Sequence, residues 1–499
     1  MSSPAIAKPD IDEYHPHLTA GRSVLAVTGV LWSSLQTLIP TISSAVVFFV
    51  SAMFLSPSDF GLVGLATSLV MTVFAFTPLA FGEALIQHKL LTKAHADSVF
   101  WLTVLFGVFY FLPFLIWATP IATLMGDAAI AAILPILALR IPLELAAAVP
   151  NGMIARSMQF KLIALRTAVA TMVSVTICLA MLFAGFGYWA LVGSQVSASL
   201  VACAMAFWVA KWRPGATFKW SALRDLANYG VFASGNRMLG TIKLDHMILG
   251  VLAGTATLGL FFFAQRFYHM LTQLVSGALS AVTLSLLSTL QGDREKTARA
   301  FGMASFVSVA VSMPMFCALA ITAPTLLALL LDDKWAGAVF PVQAFCVAGV
   351  LASIGVVQSS LIKAQGKAQW WFWYQLMQQT AAVLVIAVTY RFGLSVLMIA
   401  LMAKTVLLWP ISVMMTAKLL DSSAWHYLKG FGHPVAATIA MSLGMLAVPF
   451  AMPDTAPVVQ FILQLGIGGA VYMLFILVLS RSQIAELRRY IPKKGKPAQ

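Results

Sequence analysis

Charged residues are scarce in this sequence. Only 10% of its 499 residues are Asp, Glu, Lys or Arg, whereas 60% are hydrophobic and the mean hydropathy is +0.90. A soluble protein of this length needs a polar surface that such a composition cannot supply. The apolar runs are also continuous, whereas the strands of a membrane barrel alternate apolar and polar residues. We therefore expect an all-α polytopic membrane protein.

Cysteine is scarce, and the first residues do not show the pattern of a cleavable leader. The four cysteines lie inside apolar segments without metal-ligand spacing, at Cys178, Cys203, Cys317 and Cys346. Such residues behave as small hydrophobic side chains, so we expect no disulfide, no metal site and no cofactor. The first 20 residues contain three acidic side chains and no apolar core. We therefore expect no cleaved signal peptide, and the first span acts as its own insertion signal.

Fourteen apolar segments can cross a bilayer, which takes about 20 helical residues. They lie near residues 25–54, 59–82, 98–124, 129–149, 164–185, 187–210, 228–253, 257–286, 301–325, 338–362, 371–390, 394–417, 432–452 and 457–480. The loops on one side are only a few residues long, such as SPSD at 56–59 and GFG at 185–187. These loops leave no room for an external catalytic domain.

Lysine and arginine predict the orientation of the chain. With a cytoplasmic N-terminus, 24 of the 31 basic residues fall on inner segments and only Lys334 and Arg391 on outer loops. The remaining five lie within spans. Basic residues concentrate on the cytoplasmic side, so we expect both termini there. The net charge of +14 then reflects topology, and we expect no nucleic-acid partner. The basic tail RRYIPKKGKPAQ either rests on anionic lipid or is one more inside determinant.

An internal repeat predicts two lobes. LSPSDFGLVGLA at 55–66 matches LAGTATLGLFFFA at 252–264, with Gly61 and Gly259 in register 198 residues apart. In both places a long span ends, a tight turn follows and a glycine opens the next span. We expect a six-helix lobe at 1–211, a second at 212–418, and two further helices with a basic tail at 419–499. Parallel repeats of this kind enclose substrate near the bilayer midplane.

Two long stretches resemble a known family. FGLVGLATSLVMTVFAFTPLAFGEALIQHKLLTKAHADSVFWLTVLFG and AQRFYHMLTQLVSGALSAVTLSLLSTLQGDREKTARAF are similar to the polysaccharide transporter (Wzx-like) flippases, exopolysaccharide branch. That family belongs to the superfamily of multidrug, oligosaccharidyl-lipid and polysaccharide exporters. The resemblance covers roughly residues 20–480. The chain departs from the family pattern in having LSLLSTLQ where a proline is usual near the end of the eighth helix.

The resemblance implies a fold and a function. The fold would be about 14 transmembrane helices, with two six-helix lobes in a V around a central cavity plus two C-terminal helices. The function would be export of undecaprenyl-diphosphate-linked oligosaccharide from the cytoplasmic to the periplasmic leaflet of the bacterial inner membrane, by alternating access, for exopolysaccharide or lipopolysaccharide synthesis. Its partners would be this lipid-linked substrate, membrane lipids, and the polymerase and chain-length regulator of the same pathway.

Basic residues within the spans are the candidate substrate contacts. A charge at bilayer depth costs roughly 2.5–3.5 kcal/mol on insertion scales, so it faces water or a partner. Arg266 heads a polar stripe of His269, Gln273, Ser276 and Ser280 that covers about one third of a helix at ~100° per residue. Such cations can hold phosphates by charge-assisted hydrogen bonds. The other candidates are Arg237, Lys243 and Lys404.

Acidic residues within the spans leave two interpretations open. Arg140 and Glu144 are spaced i, i+4 on a helix that we expect Pro142 to break, and they form either a structural pair or part of an ion-coupling site. Asp245 lies nearly opposite Lys243 on one helix, so each needs another partner. Asp245 is therefore a second candidate for coupling to protons or sodium.

Three function classes compete at this point. A polysaccharide-precursor flippase fits the basic spans best, and a lipid II-type flippase of the same superfamily is an alternative. A multidrug or ion extruder would favour an acidic cavity for cationic drugs, whereas five basic residues outnumber Glu144 and Asp245 within the spans. A membrane polymerase or ligase would carry a long outer loop bearing Arg and His, which the sequence lacks. We therefore do not expect an enzyme.

Overall fold

The computed structural model is built of helices. It describes residues 22–481 and 483 except 89–90, 158, 228–229, 231–233, 235–243, 290–292 and 332, and some side chains within its helices, among them 274–286, lie outside the description. No strand occurs among the described residues. The prediction of an all-α polytopic membrane protein is confirmed, because eleven of the described helical segments are long and apolar enough to span a bilayer.

The contacts divide the chain into two compact units, 1–256 and 257–499. The helices before the junction include α1 (Arg22–Phe54), α2 (Pro57–Phe74), α3 (Phe81–Gln87), α4 (Lys93–Ile116), α5 (Ala118–Met125), α6 (Ala129–Ala138), α7 (Arg140–Ala146), α8 (Ala148–Arg156), α9 (Phe160–Phe183) and α10 (Trp189–Ala210). Helix α11 (Leu244–Thr289) runs through the junction. The predicted lobe boundaries at 211 and 418 stay predictions.

The second unit continues with further long helices. They are α12 (Arg294–Leu330), α13 (Val339–Ala364), α14 (Ala368–Thr389), α15 (Leu394–Leu419), α16 (Ala424–Lys429), α17 (Gly432–Ala451) and α18 (Pro457–Leu479). Short 3-10 turns, Asp333–Ala338 and Tyr390–Phe392, precede α13 and α15. One apolar core of this unit includes Phe301, which stacks on Tyr427 with ring centroids 5.3 Å apart.

Three differences separate the fourteen predicted spans from the eleven found. The described apolar part of α1, Leu38–Phe54, is short, and α14 falls below the others in hydropathy although it is 22 residues long. The described end of the predicted seventh span and the eighth span both lie in α11 and count as one segment. The only non-helical residue of α11 is Gly254, at φ +82°, a conformation that glycine adopts without steric cost. The turn predicted within 252–259 is thus found at Gly254, where the backbone leaves the helical conformation between the two spans.

Two turns interrupt the fourth span, each three residues before a proline, Pro142 or Pro150. The segment 129–156 is divided into α6, α7 and α8 by turns at Leu139 and Ala147. The expected break by Pro142 is found in the turn before it, at Leu139, because a proline has no N–H for the preceding turn; Pro142 itself lies in the first turn of α7. Arg140 and Glu144 therefore share one short, unbroken helix.

Two glycines allow α3 and α8 to touch. A Cβ on Gly82 would lie 2.7 Å from the Ala148 carbonyl oxygen, and one on Gly152 would lie 2.5 Å from the Gly82 carbonyl oxygen. The buried Arg156 at the end of α8 then donates from Nη1 to the carbonyl oxygens of Leu85 (2.7 Å) and His88 (2.7 Å). Its guanidinium satisfies the acceptors that a helix C-terminus leaves free.

The segment after α10 is fastened to α4 by a buried carboxyl group. Asp97 is fully buried; its Oδ1 accepts from the Gly215 backbone N–H at 3.0 Å and its Oδ2 from the Thr217 hydroxyl at 2.6 Å. Ser98 accepts from the Lys219 backbone N–H at 2.8 Å, and Trp101 Nε1 donates to the Gly215 carbonyl at 2.8 Å. A Cβ on Gly215 would lie 2.5 Å from Asp97 Oδ2, so a glycine is needed there.

Replacing Asp97 by alanine should lower the stability of the first unit. The change removes the acceptor for Gly215 and Thr217, and a lost hydrogen-bonding partner costs about 1–3 kcal/mol. We expect Asp97→Ala to melt at a lower temperature than the wild type in detergent. Glu295→Ala is the control, because the Glu295 side chain is 83% exposed. Equal melting temperatures for the wild type and Asp97→Ala would contradict this role.

Candidate functional site

Arg140 is fully engaged by neighbouring polar groups in the first unit. Its Nη2 lies 3.1 Å from Glu144 Oε1, its Nη1 donates to Gln195 Oε1 at 2.6 Å, and its Nε donates to Ser199 Oγ at 3.2 Å. The Ser199 hydroxyl donates in turn to Glu144 Oε1 at 3.0 Å. Gln195 Nε2 reaches Thr67 Oγ1 at 3.4 Å, which connects α7, α10 and α2. The positive charge is therefore compensated within the protein.

Gln195 and Ser199 were missed by the sequence analysis. They are four residues apart on α10, so they present one polar face toward α7. The run GSQVSAS within an apolar span carried this signal, although nothing in it identified Arg140 as the partner. The pairing of Arg140 with Glu144 follows from their i, i+4 spacing.

Asp245 is paired with a histidine that the sequence analysis did not single out. His246 is 4% exposed; its Nδ1 lies 3.2 Å from Ser68 Oγ and its Nε2 lies 3.9 Å from Asp245 Oδ2. Among the described residues, Asp245 Oδ1 is buried without a hydrogen-bond partner. This cluster places two titratable groups together between α2 and α11. The predicted candidates Arg237 and Lys243 lie outside the described residues.

Arg266 stands in a different environment on α11. Its side chain is half-buried, and within the part of the chain that the structure describes its guanidinium makes no hydrogen bond or ion pair. The flanking Phe267 is buried, and the Tyr268 ring lies 5.0 Å from that of His269. Gln273, two turns further along the same face, is exposed. The side chains of Ser276 and Ser280, predicted for this stripe, lie outside the description.

Lys404 donates to a glutamine on the neighbouring helix. Its Nζ lies 2.9 Å from Gln378 Oε1, and Gln378 Nε2 donates to the Tyr374 hydroxyl at 2.9 Å. The Tyr374 ring packs against Trp371 with centroids 5.2 Å apart. The sequence analysis named Lys404 as a candidate cation but did not identify Gln378 as its partner.

A cavity of about 270 Å³ opens between α3, α8 and α9. Its polar lining consists of Glu83, Asn151 and Arg166. Arg166 Nη1 donates to Asn151 Oδ1, and Arg166 Nε is buried without a partner among the described residues. The sequence analysis treated Arg166 only as an inside determinant. Gly82 and Gly152, whose close approach no local sequence pattern revealed, also line the cavity.

The candidate residues thus fall into separate clusters. The first unit holds the Arg140–Glu144 network and Asp245 with His246, whereas the second holds Arg266 with His269 and Gln273, and Lys404 with Gln378. Arg140 has a carboxylate partner, but Arg266 has none in the described chain. A cation without a counter-charge at span depth is suited to an anionic ligand, because a low dielectric strengthens their attraction.

Comparison with known proteins gives consistent matches. A family model described as "Polysaccharide biosynthesis protein" matches residues 50–340. The chain is 25% identical over 485 residues, 94% of each chain, to the "Succinoglycan biosynthesis transport protein ExoT" of Rhizobium meliloti (strain 1021). It is 21% identical over 352 residues to the "Lipopolysaccharide biosynthesis protein WzxC" of Escherichia coli (strain K12), covering 68% of this chain and 70% of that one.

Two solved structures share the fold. The "Lipid II flippase MurJ, inward closed conformation" matches with a TM-score of 0.74 and 13% identity, over 91% of this chain and 100% of that chain. An inward-facing multidrug resistance MATE family transporter of the MOP superfamily matches with a TM-score of 0.58 and 16% identity, over 79% of this chain and 99% of that chain. At these identities the likeness concerns the fold alone.

Removing one member of the Arg140–Glu144 pair should harm the protein more than removing both. The two side chains are partly buried, at 16% and 31% exposure, so the loss of one partner should cost less than the roughly 3–5 kcal/mol of a fully buried pair, while loss of both can be close to neutral. We expect Arg140→Ala and Glu144→Ala each to lower melting temperature and membrane abundance, and the double variant to recover part of both. Strictly additive effects would show that the two residues act with separate partners.

Proposed function

The chain belongs to the polysaccharide biosynthesis protein family, and from that membership we propose that it is a flippase for a polysaccharide precursor. The relatives named for transport in succinoglycan biosynthesis and for lipopolysaccharide biosynthesis support export of a glycan. The proposed substrate is an undecaprenyl-diphosphate-linked oligosaccharide, carried from the cytoplasmic to the periplasmic leaflet of the inner membrane. Both termini would then lie in the cytoplasm.

The proposed substrate rests on one observation: Arg266 has no counter-charge among the described residues. The diphosphate of a lipid carrier is the group whose passage through lipid costs the most free energy. A fixed cation in the protein replaces part of the hydration of the diphosphate. An arginine remains charged and offers a planar fork that matches phosphate oxygens. In the proposed alternating-access cycle, this cation contacts the diphosphate while the site opens first to the cytoplasm and then to the periplasm. One or two cations bind weakly enough to allow release.

The other candidate residues have different roles in this proposal: substrate contact, structural support or ion coupling. His269 and Gln273 share the Arg266 face of α11 and would contact the diphosphate or the first sugar, with Arg237, Lys243 and Lys404 as further cations. The Arg140–Glu144 pair is compensated internally, so we assign it a structural role. Asp245, next to the buried His246, is the candidate for ion coupling. The polymerase and chain-length regulator of the same pathway would receive the exported product.

An enzyme or an extruder is a poorer match to the same residues. On the predicted outer side the described connections are short, with two residues between α1 and α2, five between α9 and α10, and five between α17 and α18. None of these has room for the long Arg- and His-bearing loop that a polymerase or ligase was expected to carry. The MATE-like fold is compatible with drug extrusion, but Arg266, which has no carboxylate partner among the described residues, would repel the cationic drugs that an extruder binds.

Replacing Arg266 tests the proposed function. We expect Arg266→Ala to abolish polysaccharide export at normal membrane abundance, because the contact to the diphosphate is lost. Arg266→Lys should keep part of the activity, since the charge remains while the bidentate fork is lost. Export and membrane abundance should be measured in the same cells, together with accumulation of the lipid-linked precursor.

Arg294→Ala is a matched control for this test. Arg294 is also an arginine of the second unit, but its side chain is 79% exposed and paired with Asp421. Its replacement should leave export unchanged. Full export by a stably expressed Arg266→Ala variant would remove Arg266 from the substrate path.

A further inference from the structure

Helix α14 is unusually polar for a helix of its length. Its 22 residues extend about 33 Å at 1.5 Å per residue, enough to cross the hydrocarbon core. It nevertheless falls short of the hydropathy of the other long helices in its unit. Its sequence AQWWFWYQLMQQTAAVLVIAVT contains no charged residue but four glutamines, one next to its start at 369 and three in its middle part at 375, 378 and 379.

The three glutamines in the middle part share one face. At ~100° per residue, Gln375, Gln378 and Gln379 fall within about 100° of the helix circumference, and Trp371 lies on the same face one turn earlier. We call Gln375, Gln378 and Gln379 the glutamine stripe. The fourth glutamine, Gln369, is exposed in the first turn of the helix. Its direction differs by about 80° or more from that of every member of the stripe.

The members of the stripe differ in their partners. Gln378 is satisfied by Lys404 and Tyr374 at 2.9 Å each. Gln375 and Gln379 are exposed, and in the described chain neither makes a hydrogen bond. They lie about 10 and 16 Å along the helix from Ala368, so both are at span depth. Lipid offers no hydrogen-bond partner to a carboxamide there, so an unpaired amide facing lipid is strongly unfavourable. The stripe must therefore face water or a polar ligand.

The chemistry of the stripe fits a sugar better than a phosphate. A carboxamide is neutral and offers two N–H donors and a carbonyl acceptor, which matches the hydroxyl and acetamido groups of a glycan. An indole such as Trp371 offers an apolar face for the C–H groups of a pyranose ring. The nearby cation, Lys404, already donates to Gln378. A diphosphate, which needs cations, gains little from Gln375 and Gln379.

We propose that the glutamine stripe, together with Trp371, is a carbohydrate-binding subsite that contacts the glycan of the translocated lipid. This inference rests on the proposed function and adds a division of labour to it. Arg266 on α11 binds the diphosphate common to all carrier lipids, whereas α14 recognises the sugars that distinguish one repeat unit from another. Gln378, held between Lys404 and Tyr374, positions the stripe and leaves Gln375 and Gln379 free to bind.

A binding measurement with two lipids tests this division. The probes are undecaprenyl diphosphate and the lipid-linked oligosaccharide extracted from cells that lack this transporter, each added to the purified full-length protein in nanodiscs. For the double variant Gln375→Leu/Gln379→Leu we expect about tenfold weaker binding of the glycosylated lipid, the size expected for two lost hydrogen bonds. Binding of undecaprenyl diphosphate should be unchanged. Gln375→Asn/Gln379→Asn, which keeps the amides but shortens their reach, should show the same selective loss.

Gln369→Leu is the matched control, because it removes an exposed glutamine of the same helix that lies outside the stripe and at the end of the span. It should bind both lipids as the wild type does. Equal losses for both lipids, no loss for either, or the same loss in Gln369→Leu would each overturn the carbohydrate subsite. A wild-type protein that binds both lipids equally well would also overturn it while leaving the proposed function intact. A wild-type protein that binds neither lipid would overturn the proposed function itself.

Discussion

The cost of placing a charge or an unpaired polar group at membrane depth is the constraint on which this structure depends. Each such group requires a partner within the protein or a ligand. Arg140 meets this requirement internally, through Glu144, Gln195 and Ser199. Arg266 does not meet it within the described chain. The partners of these two arginines identify Arg140 as part of a structural ion pair and Arg266 as a candidate binding group. Their positions in the sequence alone did not make this distinction.

Backbone chemistry determines where these groups stand. Prolines divide the segment 129–156 into three short helices, and the middle one carries Arg140 and Glu144 one turn apart. Gly82 and Gly152 bring α3 and α8 into contact, and the buried Arg156 satisfies the carbonyls at the end of α3. Asp97 fixes the segment that follows α10 to α4. In our account these polar side chains of the first unit bind no ligand. They hold its helices and connecting segments in place.

Much of this could be predicted from the sequence, and the misses have a common cause. Hydropathy located most spans, and i, i+4 spacing paired Arg140 with Glu144. Contacts between distant segments were not predictable: His246 with Ser68, Lys404 with Gln378, and Asp97 with Gly215 are 178, 26 and 118 residues apart. Local predictions succeeded where one residue decided the backbone. Gly254 interrupts the helix within the predicted turn, and the helix is interrupted at Leu139, just before Pro142.

Translocation of a lipid-linked oligosaccharide by the purified protein tests the central claim most directly. Proteoliposomes would carry this lipid in both leaflets, and a membrane-impermeant oxidant of sugar diols would report the fraction exposed outside. In liposomes without protein, about half of the lipid should stay protected. The account predicts that the wild-type protein makes the protected half accessible at a rate that rises with protein content. An accessible fraction identical with and without protein, in vesicles shown to be sealed, would contradict it.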